Sequence, residues 1–367
     1  MTRYSAWRAL AIAGLVLGAA AACERVATDP GAGGSANLSA PGSGSIGGKV
    51  VALDGSPIAG AVVSIPGGPS AVTGANGSFS IGGLAPAGRL GVDVSATGFA
   101  PTARIYAVVA GQTLSRDIGL IPQGAPVALV AGQGGEVRFS DGGLIEVPAN
   151  AFEGVSPQEP IFVRVSYFDP ADAASFRQAP GDFSGIEADG SASVLESNGM
   201  WSVSVTNARG TELNLREGQA LRSSLPSRQA RLAGGGTGPV GPEPVEEWGL
   251  YVWDTSRPGW VFVSSTSETA QRTFTQSGRN YNIDRRTSSS AMTVRAFDAL
   301  GNPLPNRSIT VSAVSYFGGA EAWTDANGFA TLQLGASQQV SVLSGTGPVA
   351  VTTAPVGGSG PVTSLVF

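Results

Sequence analysis

Residues 54–65 read DGSPIAGAVVSI and residues 72–81 read VTGANGSFSI. In the first stretch, small polar residues and a proline form a turn, and alternating apolar residues follow it. In the second, Asn76 and Gly77 are a hairpin signal because both positions tolerate a positive φ. The residues after Gly77 alternate between polar and apolar, as in a half-buried strand. We therefore predict a small two-sheet β-sandwich over residues 46–122.

The same order of strand, turn and strand returns near the end of the chain. Residues 301–306 read GNPLPN, and residues 323–332 read WTDANGFATL, which parallels residues 72–81. We interpret the two stretches as a divergent internal repeat. The sequence therefore predicts a second β-sandwich over residues 291–367.

Both stretches resemble the carboxypeptidase regulatory-like family. The resemblance is carried by residues 55–61 and 76–79 in the first stretch, and by residues 301–304 and 324–328 in the second. The second stretch also resembles bacterial Ig-like repeats. The resemblance implies a prealbumin-like β-sandwich that serves as a non-catalytic accessory module.

A different pattern occupies residues 126–232. Residues 143–152 read GLIEVPANAF, residues 165–170 read VSYFDP and residues 195–200 read LESNGM. These blocks resemble ZU5-like domains and a segment of cartilage intermediate layer proteins, which implies an extracellular β-rich domain. After a Gly- and Pro-rich linker, residues 245–287 are predicted to add a β-hairpin segment to this middle domain.

The composition supports an all-β chain. The 367 residues include 53 glycines and 24 prolines, and 42% of the residues are hydrophobic. Frequent glycine and proline are typical of short strands joined by turns, and a disordered chain would contain fewer apolar residues. We predict a signal peptide and a flexible linker followed by tandem β-sandwich domains.

The first residues are typical of an export signal. Residues 1–22 combine a positive start with a short apolar stretch and end in three alanines before Cys23. This arrangement resembles the bacterial lipobox, which implies that Cys23 carries the lipid anchor; an ordinary secretory signal is the alternative. Residues 23–45 are predicted to be a Gly/Ser/Pro tether. Glu24, rather than aspartate, favours the outer membrane of the bacterial envelope.

Charge and residue content exclude several functions. The formal charge is −5, and loss of Arg3 and Arg8 with residues 1–22 leaves −7, so electrostatic binding to nucleic acid is not expected. The chain has no histidine, which excludes a Ser-His-Asp triad and histidine-based zinc sites. We identify no catalytic residue and no required cofactor, and we predict that the chain is not an enzyme.

Carboxylates are the one catalytic route left. Six of them cluster in the middle of the sequence: Asp169, Asp172, Asp182, Glu187, Asp189 and Glu196. Two carboxylates at a suitable separation could hydrolyse a glycosidic bond. The alternative is that these acids cap backbone N–H groups in turns.

Two kinds of ligand site remain as weaker hypotheses. Asp189, Asp325 and Asn327 could supply oxygen ligands to Ca²⁺, although no EF-hand spacing is present. Trp253 and Trp260 could form a flat platform that stacks against a sugar, or they could be core or hairpin pairs.

The sequence therefore predicts a non-catalytic lipoprotein that presents β-sandwich modules for adhesion, protein interaction or envelope structure. Its partners would be the membrane, through the lipid anchor, and an envelope protein or an extracellular glycan. A carbohydrate-binding protein is the alternative function, and a carboxylate-based glycosidase is a further alternative.

Overall fold

The computed structural model describes most of the chain beyond the predicted tether. The described residues are 42–139, 142–168, 177–225, 248–266, 271–276, 278–287, 289–313, 318–335, 339–344, 347–353 and 359–366. Cys23, Asp169 and Asp172 lie outside them. Within these ranges the fold is all-β, as predicted, and the strands form three modules that we name the first, middle and last modules.

The first module, residues 42–123, is a sandwich of two four-stranded sheets. Its strands are β1 (Gly44–Ala52), β2 (Val62–Ser64), β3 (Ser70–Val72), β4 (Ser78–Leu84), β5 (Ala87–Ser95), β6 (Thr102–Val108), β7 (Thr113–Ser115) and β8 (Ile118–Leu120). One sheet has the order β4–β1–β7, with β8 also paired to β1, and the other has the order β3–β2–β5–β6. Alternating residues such as Ile46, Val50, Val63 and Val92 fill the space between the sheets.

The middle module, residues 127–287, also has two sheets. Its strands are β9 (Val127–Val130), β10 (Gly135–Arg138), β11 (Leu144–Val147), β12 (Pro160–Phe168), β13 (Ser184–Ile186), β14 (Ala192–Asn207), β15 (Leu221–Ser224), β16 (Trp248–Asp254), β17 (Gly259–Thr266), β18 (Arg272–Phe274) and β19 (Arg279–Thr287). The order of the larger sheet is β13–β17–β16–β19–β14–β12–β9, and that of the smaller sheet is β10–β11–β15–β18. Strands β16, β17 and β19, from residues 248–287, therefore lie inside the larger sheet, and β18 lies at the edge of the smaller sheet.

The last module, residues 289–366, repeats the topology of the first. Its strands are β20 (Ser289–Phe297), β21 (Ser308–Ala313), β22 (Gly319–Trp323), β23 (Phe329–Gly335), β24 (Gln339–Ser344), β25 (Gly347–Thr353) and β26 (Ser359–Val366). The sheets β23–β20–β26 and β22–β21–β24–β25 correspond to β4–β1–β7 and β3–β2–β5–β6. In both modules the first strand pairs antiparallel with the strand after the Asn-Gly turn, and parallel with a strand near the module's end.

The two Asn-Gly turns have the same backbone geometry. Gly77 has φ 74° and Gly328 has φ 79°. A Cβ at Gly77 would lie 2.6 Å from the carbonyl oxygen of Val50, and one at Gly328 would lie 2.5 Å from that of Ala296. Both turns therefore require glycine for its positive φ and for the close approach of the neighbouring strand.

A buried threonine makes equivalent hydrogen bonds in the two modules. The Thr73 hydroxyl accepts a bond from the Ala61 N–H at 2.9 Å and donates to the Ile58 carbonyl at 2.6 Å. The Thr324 hydroxyl likewise bonds the N–H and the carbonyl of residues 307 and 304, at 2.8 and 2.7 Å. Each threonine ties the segment after the Pro-containing turn to the next hairpin, so the sequence repeat is also a repeat of hydrogen bonds.

This geometry predicts the effect of removing the hydroxyl. Thr73→Val keeps the shape of the side chain but leaves a buried N–H and a buried carbonyl without this partner, so we expect the free energy of unfolding to fall by about 1–3 kcal/mol. Thr113→Val, at an exposed strand position, is the control and should change it by less than about 0.5 kcal/mol. Urea unfolding measures both, and equal stability of the two variants would contradict this assignment.

Candidate functional site

Trp253 and Trp260 face each other across the β16–β17 hairpin. Their ring centroids are 5.6 Å apart with the rings at 73°, and the residues are only 4% and 0% exposed. The Trp253 Nε1–H donates to the Thr255 hydroxyl, and the Trp260 Nε1–H donates to the Asp182 carbonyl. The predicted sugar platform is therefore corrected: the two rings are a buried hairpin pair, and neither presents a face to solvent.

The three residues proposed for Ca²⁺ belong to two separate turns. Asp189 accepts the N–H of Ser191 at 2.9 Å, and the hydrogen bonds from Ser191 lower the pKa of Asp189. Asp325 accepts the N–H groups of Asn327 and Phe329 at 2.8 and 2.9 Å. Both aspartates thus complete their own turns. Within the described ranges, no group of three or more His, Cys, Asp or Glu side chains is placed to hold a metal ion.

Two of the described carboxylates of the predicted glycosidase, Asp182 and Glu196, are hydrogen-bonded to arginines. Asp182 accepts two bonds from Arg89, at 2.9 and 3.2 Å, and is nearly buried. Glu196 accepts two bonds from Arg285, at 3.0 and 2.8 Å. The fork-shaped contact of Arg89 with Asp182 holds a first-module strand to the middle module. The two Arg285 donors share one oxygen of Glu196 and hold β14 to β19. Asp182 and Glu196 therefore have structural partners. Asp182 also accepts the N–H of Ser184 at 3.1 Å, so it caps a turn as Asp189 does.

Glu187 has a third kind of environment. Its carboxylate accepts a hydrogen bond from the Ser193 hydroxyl and another from the Tyr251 hydroxyl at 3.3 Å. Burial, followed by the nearby negative charges of Asp284 and Glu187, raises the pKa of Tyr251. Tyr251 therefore remains a neutral donor that fixes Glu187 against β16.

Asp284 is the most unusual ionisable group in the described structure. It is 0% exposed on β19, opposite Ser197 of β14 and Gly249 of β16. Neither of its carboxylate oxygens has a hydrogen-bond partner, and the Ser197 hydroxyl donates instead to Asn282 at 2.6 Å. Burial raises the pKa of Asp284 well above its usual range; the neighbouring Ser197 opposes this shift, and the charges of Glu196 and Glu187 add to it.

The first and last modules meet through a buried ion pair and an aromatic stack. Arg116, between β7 and β8, makes two bonds to Glu321 of β22, at 2.6 and 2.9 Å. Beside this pair, the rings of Tyr106 and Trp323 stack with centroids 5.6 Å apart. The Trp323 Nε1–H also donates to the Ile105 carbonyl at 3.4 Å. Side chains of β22 therefore contact both β6 and the segment between β7 and β8 of the first sandwich.

The first and middle modules meet around Arg104 of strand β6. Arg104 is 2% exposed, and its guanidinium donates to five acceptors, two on neighbouring residues and three in the segment 177–179. Burial lowers the pKa of Arg104 to about 10, against the attraction of Glu321. Ala103 and Ile105 share one buried apolar cluster with residues of the middle module. The modules are therefore in direct packing contact.

Sequence reasoning did not find these junction residues. Arg116 and Glu321 are 205 residues apart, so no local pattern connects them. Arg104 carried a usable signal, because it is a charged residue in the otherwise apolar strand β6. A buried arginine of this kind must find several acceptors outside its own strand.

The comparisons with known proteins add one family. Residues 45–121 match the carboxypeptidase regulatory-like domain family. That match covers nearly all of the first module and confirms the resemblance predicted for its sequence. No curated protein matches the chain. Among the described residues, there is no apolar helix of membrane-spanning length.

Several solved structures of bacterial proteins, two of them major pilins, align weakly. The Bacillus anthracis TIE protein is 11% identical, with 89% of this chain and 50% of that chain covered and a TM-score of 0.19. The Bacillus cereus major pilin subunit BcpA is 10% identical, with 89% and 98% covered and a TM-score of 0.19. The Corynebacterium diphtheriae major pilin SpaD is 8% identical, with 89% and 96% covered and a TM-score of 0.18. The chain spans half the length of the first of these. TM-scores of this size carry no argument about function.

The buried ion pair predicts a large effect of a single substitution. Glu321→Gln leaves the Arg116 guanidinium without its counter-ion in a site where both side chains are nearly buried, so we expect the free energy of unfolding to fall by about 3–5 kcal/mol. Glu136→Gln breaks the exposed pair with Arg138 and should cost at most about 1 kcal/mol. Urea unfolding of both variants gives the comparison, and similar losses would argue against a buried junction.

Asp284 predicts a pH-dependent stability. The unfolded carboxyl titrates near pKa ~3.9, whereas the folded one keeps its proton to higher pH, so the unfolded state loses a proton first. The contribution of Asp284 to the free energy of unfolding should therefore be greatest below pH ~4. It should fall as the pH rises through the raised pKa of the folded protein and then level off. In Asp284→Asn this component disappears, whereas in the control Asp189→Asn, at an exposed turn, it remains. Urea unfolding between about pH 4 and pH 8 tests this; parallel curves for wild type and Asp284→Asn would exclude it.

Proposed function

We propose that the chain is a non-catalytic lipoprotein, anchored in the bacterial cell envelope through Cys23, whose β-sandwich modules present surfaces for adhesion, protein interaction or envelope structure. The proposal that the chain is non-catalytic is supported by the ion pairs of its buried carboxylates. Asp182, Glu196 and Glu321 are each bound by an arginine from another strand or module. Asp182 and Glu321 each join two modules, and Glu196 joins two strands of the middle module.

The envelope anchor is supported by the order of the sequence. An apolar stretch, three alanines, Cys23 and a Gly/Ser/Pro-rich tether precede strand β1. Acyl chains on one cysteine would give stable membrane binding, since each buried CH₂ contributes about 0.8 kcal/mol. The family match of the first module supports an accessory role. The partner in this proposal is an envelope protein or an extracellular glycan.

The anchor is tested in cells that export the full chain. We expect the wild type to incorporate labelled palmitate and to fractionate with membranes, with an intact mass that fits cleavage before Cys23 plus acyl chains. Cys23→Ala should lose the label and leave the membrane fraction. Ser35→Ala, in the same tether, is the control and should behave as wild type. An unlabelled wild-type protein, or one cleaved elsewhere, would make the chain a freely secreted protein.

The interaction role is tested separately, on intact envelopes. Chemical crosslinking should trap a specific envelope partner with the wild type, and a deletion strain should show altered adhesion or envelope integrity. Recovery of no partner together with wild-type adhesion in the deletion strain would refute the interaction role, whatever the outcome of the palmitate experiment.

A further inference from the structure

An arginine lies between two phenylalanine rings on the outer face of the sheet β23–β20–β26. The guanidinium carbon of Arg295 is 4.7 Å from the ring centre of Phe297 and 4.6 Å from that of Phe329. Phe329 is the direct cross-strand partner of Arg295, and Phe297 follows two residues later on the same face. All three side chains are partly exposed. We name them the Arg295 cluster.

The guanidinium is held in place, but its outer nitrogens are free. The Arg295 Nε–H donates to the Asn327 carbonyl at 3.2 Å. In the part of the chain that the structure describes, neither Nη atom has a hydrogen-bond or ion-pair partner. Two rings and one hydrogen bond thus fix a planar cation whose remaining donors form a fork. Binding of a ligand at this fork costs little side-chain entropy of Arg295, because the arginine is already ordered.

The first module shows that the fold does not need this cluster. The N–H of Val50 bonds the Gly77 carbonyl just as that of Ala296 bonds the Gly328 carbonyl, which sets the correspondence between the two modules. Lys49 and Ser78 then take the places of Arg295 and Phe329, and both are exposed and polar. The same sandwich therefore forms with an ordinary solvated face, and the aromatic and arginine residues are an addition specific to the last module.

One exposed apolar side chain lies beside the cluster on the neighbouring strand, and another is exposed in the turn that follows β20. Val366 of β26 lies opposite Phe297 and is 63% exposed, and Leu300, in the turn after β20, is 87% exposed. Ser364, opposite Arg295, is also exposed. The face thus combines a fixed cation with exposed hydrocarbon, on the broad surface of a sheet rather than at its edge.

We propose that the Arg295 cluster binds a carboxylate-bearing sugar of an acidic glycan. The two free nitrogens of Arg295 match the two oxygens of a sugar carboxylate, while the C–H face of the sugar ring covers Phe297, Phe329 and the neighbouring apolar side chains. An acidic peptide is a poorer match, because extended peptides gain affinity from the backbone groups of a sheet edge. This inference names the ligand within the proposed function, but glycan binding does not depend on the Cys23 anchor.

The test uses the mature full-length chain with Cys23→Ala, so that lipidation cannot affect the result. Its binding to polygalacturonate is measured beside neutral dextran and polyglutamate. We expect binding to polygalacturonate that weakens as salt rises, with no binding to dextran and little to polyglutamate. Arg295→Gln should weaken binding at least tenfold, and Arg295→Lys should weaken it severalfold, since lysine keeps the charge but loses the fork.

The repeat offers a matched control. Lys49→Gln removes one positive charge at the equivalent position of the first module and should leave binding unchanged, whereas Phe329→Leu should weaken it with the charge intact. Urea unfolding of each variant confirms that the module is folded. Equal binding by Arg295→Gln and the unsubstituted protein, equal affinity for polyglutamate, or no binding to polygalacturonate would each overturn the proposal. None of these results bears on the palmitate experiment.

Discussion

Strand β6 lies where the three modules meet, and the buried guanidinium of Arg104 imposes the strictest constraint there. A fully desolvated cation must be surrounded by acceptors, and Arg104 finds three of its five in the segment 177–179 of the middle module. Its neighbour Ile105 contributes to the apolar cluster with that module, while Tyr106 stacks on Trp323 of the last. Three successive residues of one strand thus contact both of the other modules. A change in the register of β6 would break all of these contacts at once.

The junctions combine apolar packing with buried charge, and the two have different roles. Apolar contact is not directional and would tolerate small rotations between modules. The two-bond pairs Arg116–Glu321 and Arg89–Asp182 do not, because each guanidinium has to meet its carboxylate in one plane. Close approach adds to this: a Cβ at Gly91 would lie 2.1 Å from the Thr255 carbonyl oxygen of the middle module. The modules are therefore oriented as well as joined.

Sequence reasoning reached the parts of this structure that depend on local chemistry. The all-β class is confirmed, and the turn residues around Gly77 and Gly328 were sufficient to predict two related sandwiches, because a positive φ and a buried threonine are local requirements. It did not predict that the modules pack on one another, since partners such as Arg116 and Glu321 are far apart in the chain. Trp253 and Trp260 show a second limit. Tryptophans on paired strands have the same sequence pattern whether they face water or a neighbouring module. Whether their rings are exposed depends on the module that packs over them. The domain boundaries and the lipid anchor stay predictions.

The position of β1 has a mechanical consequence. Strand β1 begins at Gly44, within the last two residues of the predicted tether, and is paired antiparallel with β4 on one side and parallel with β7 and β8 on the other. A pull on the chain ahead of Gly44 therefore runs along the strand and loads the hydrogen bonds on both sides together, in shear, instead of opening them one after another. How well such an arrangement withstands a pulling force depends on its rate of unfolding and not on its equilibrium free energy of unfolding. The first strand of the folded part is thus built to bear tension from the side on which an anchor would hold it.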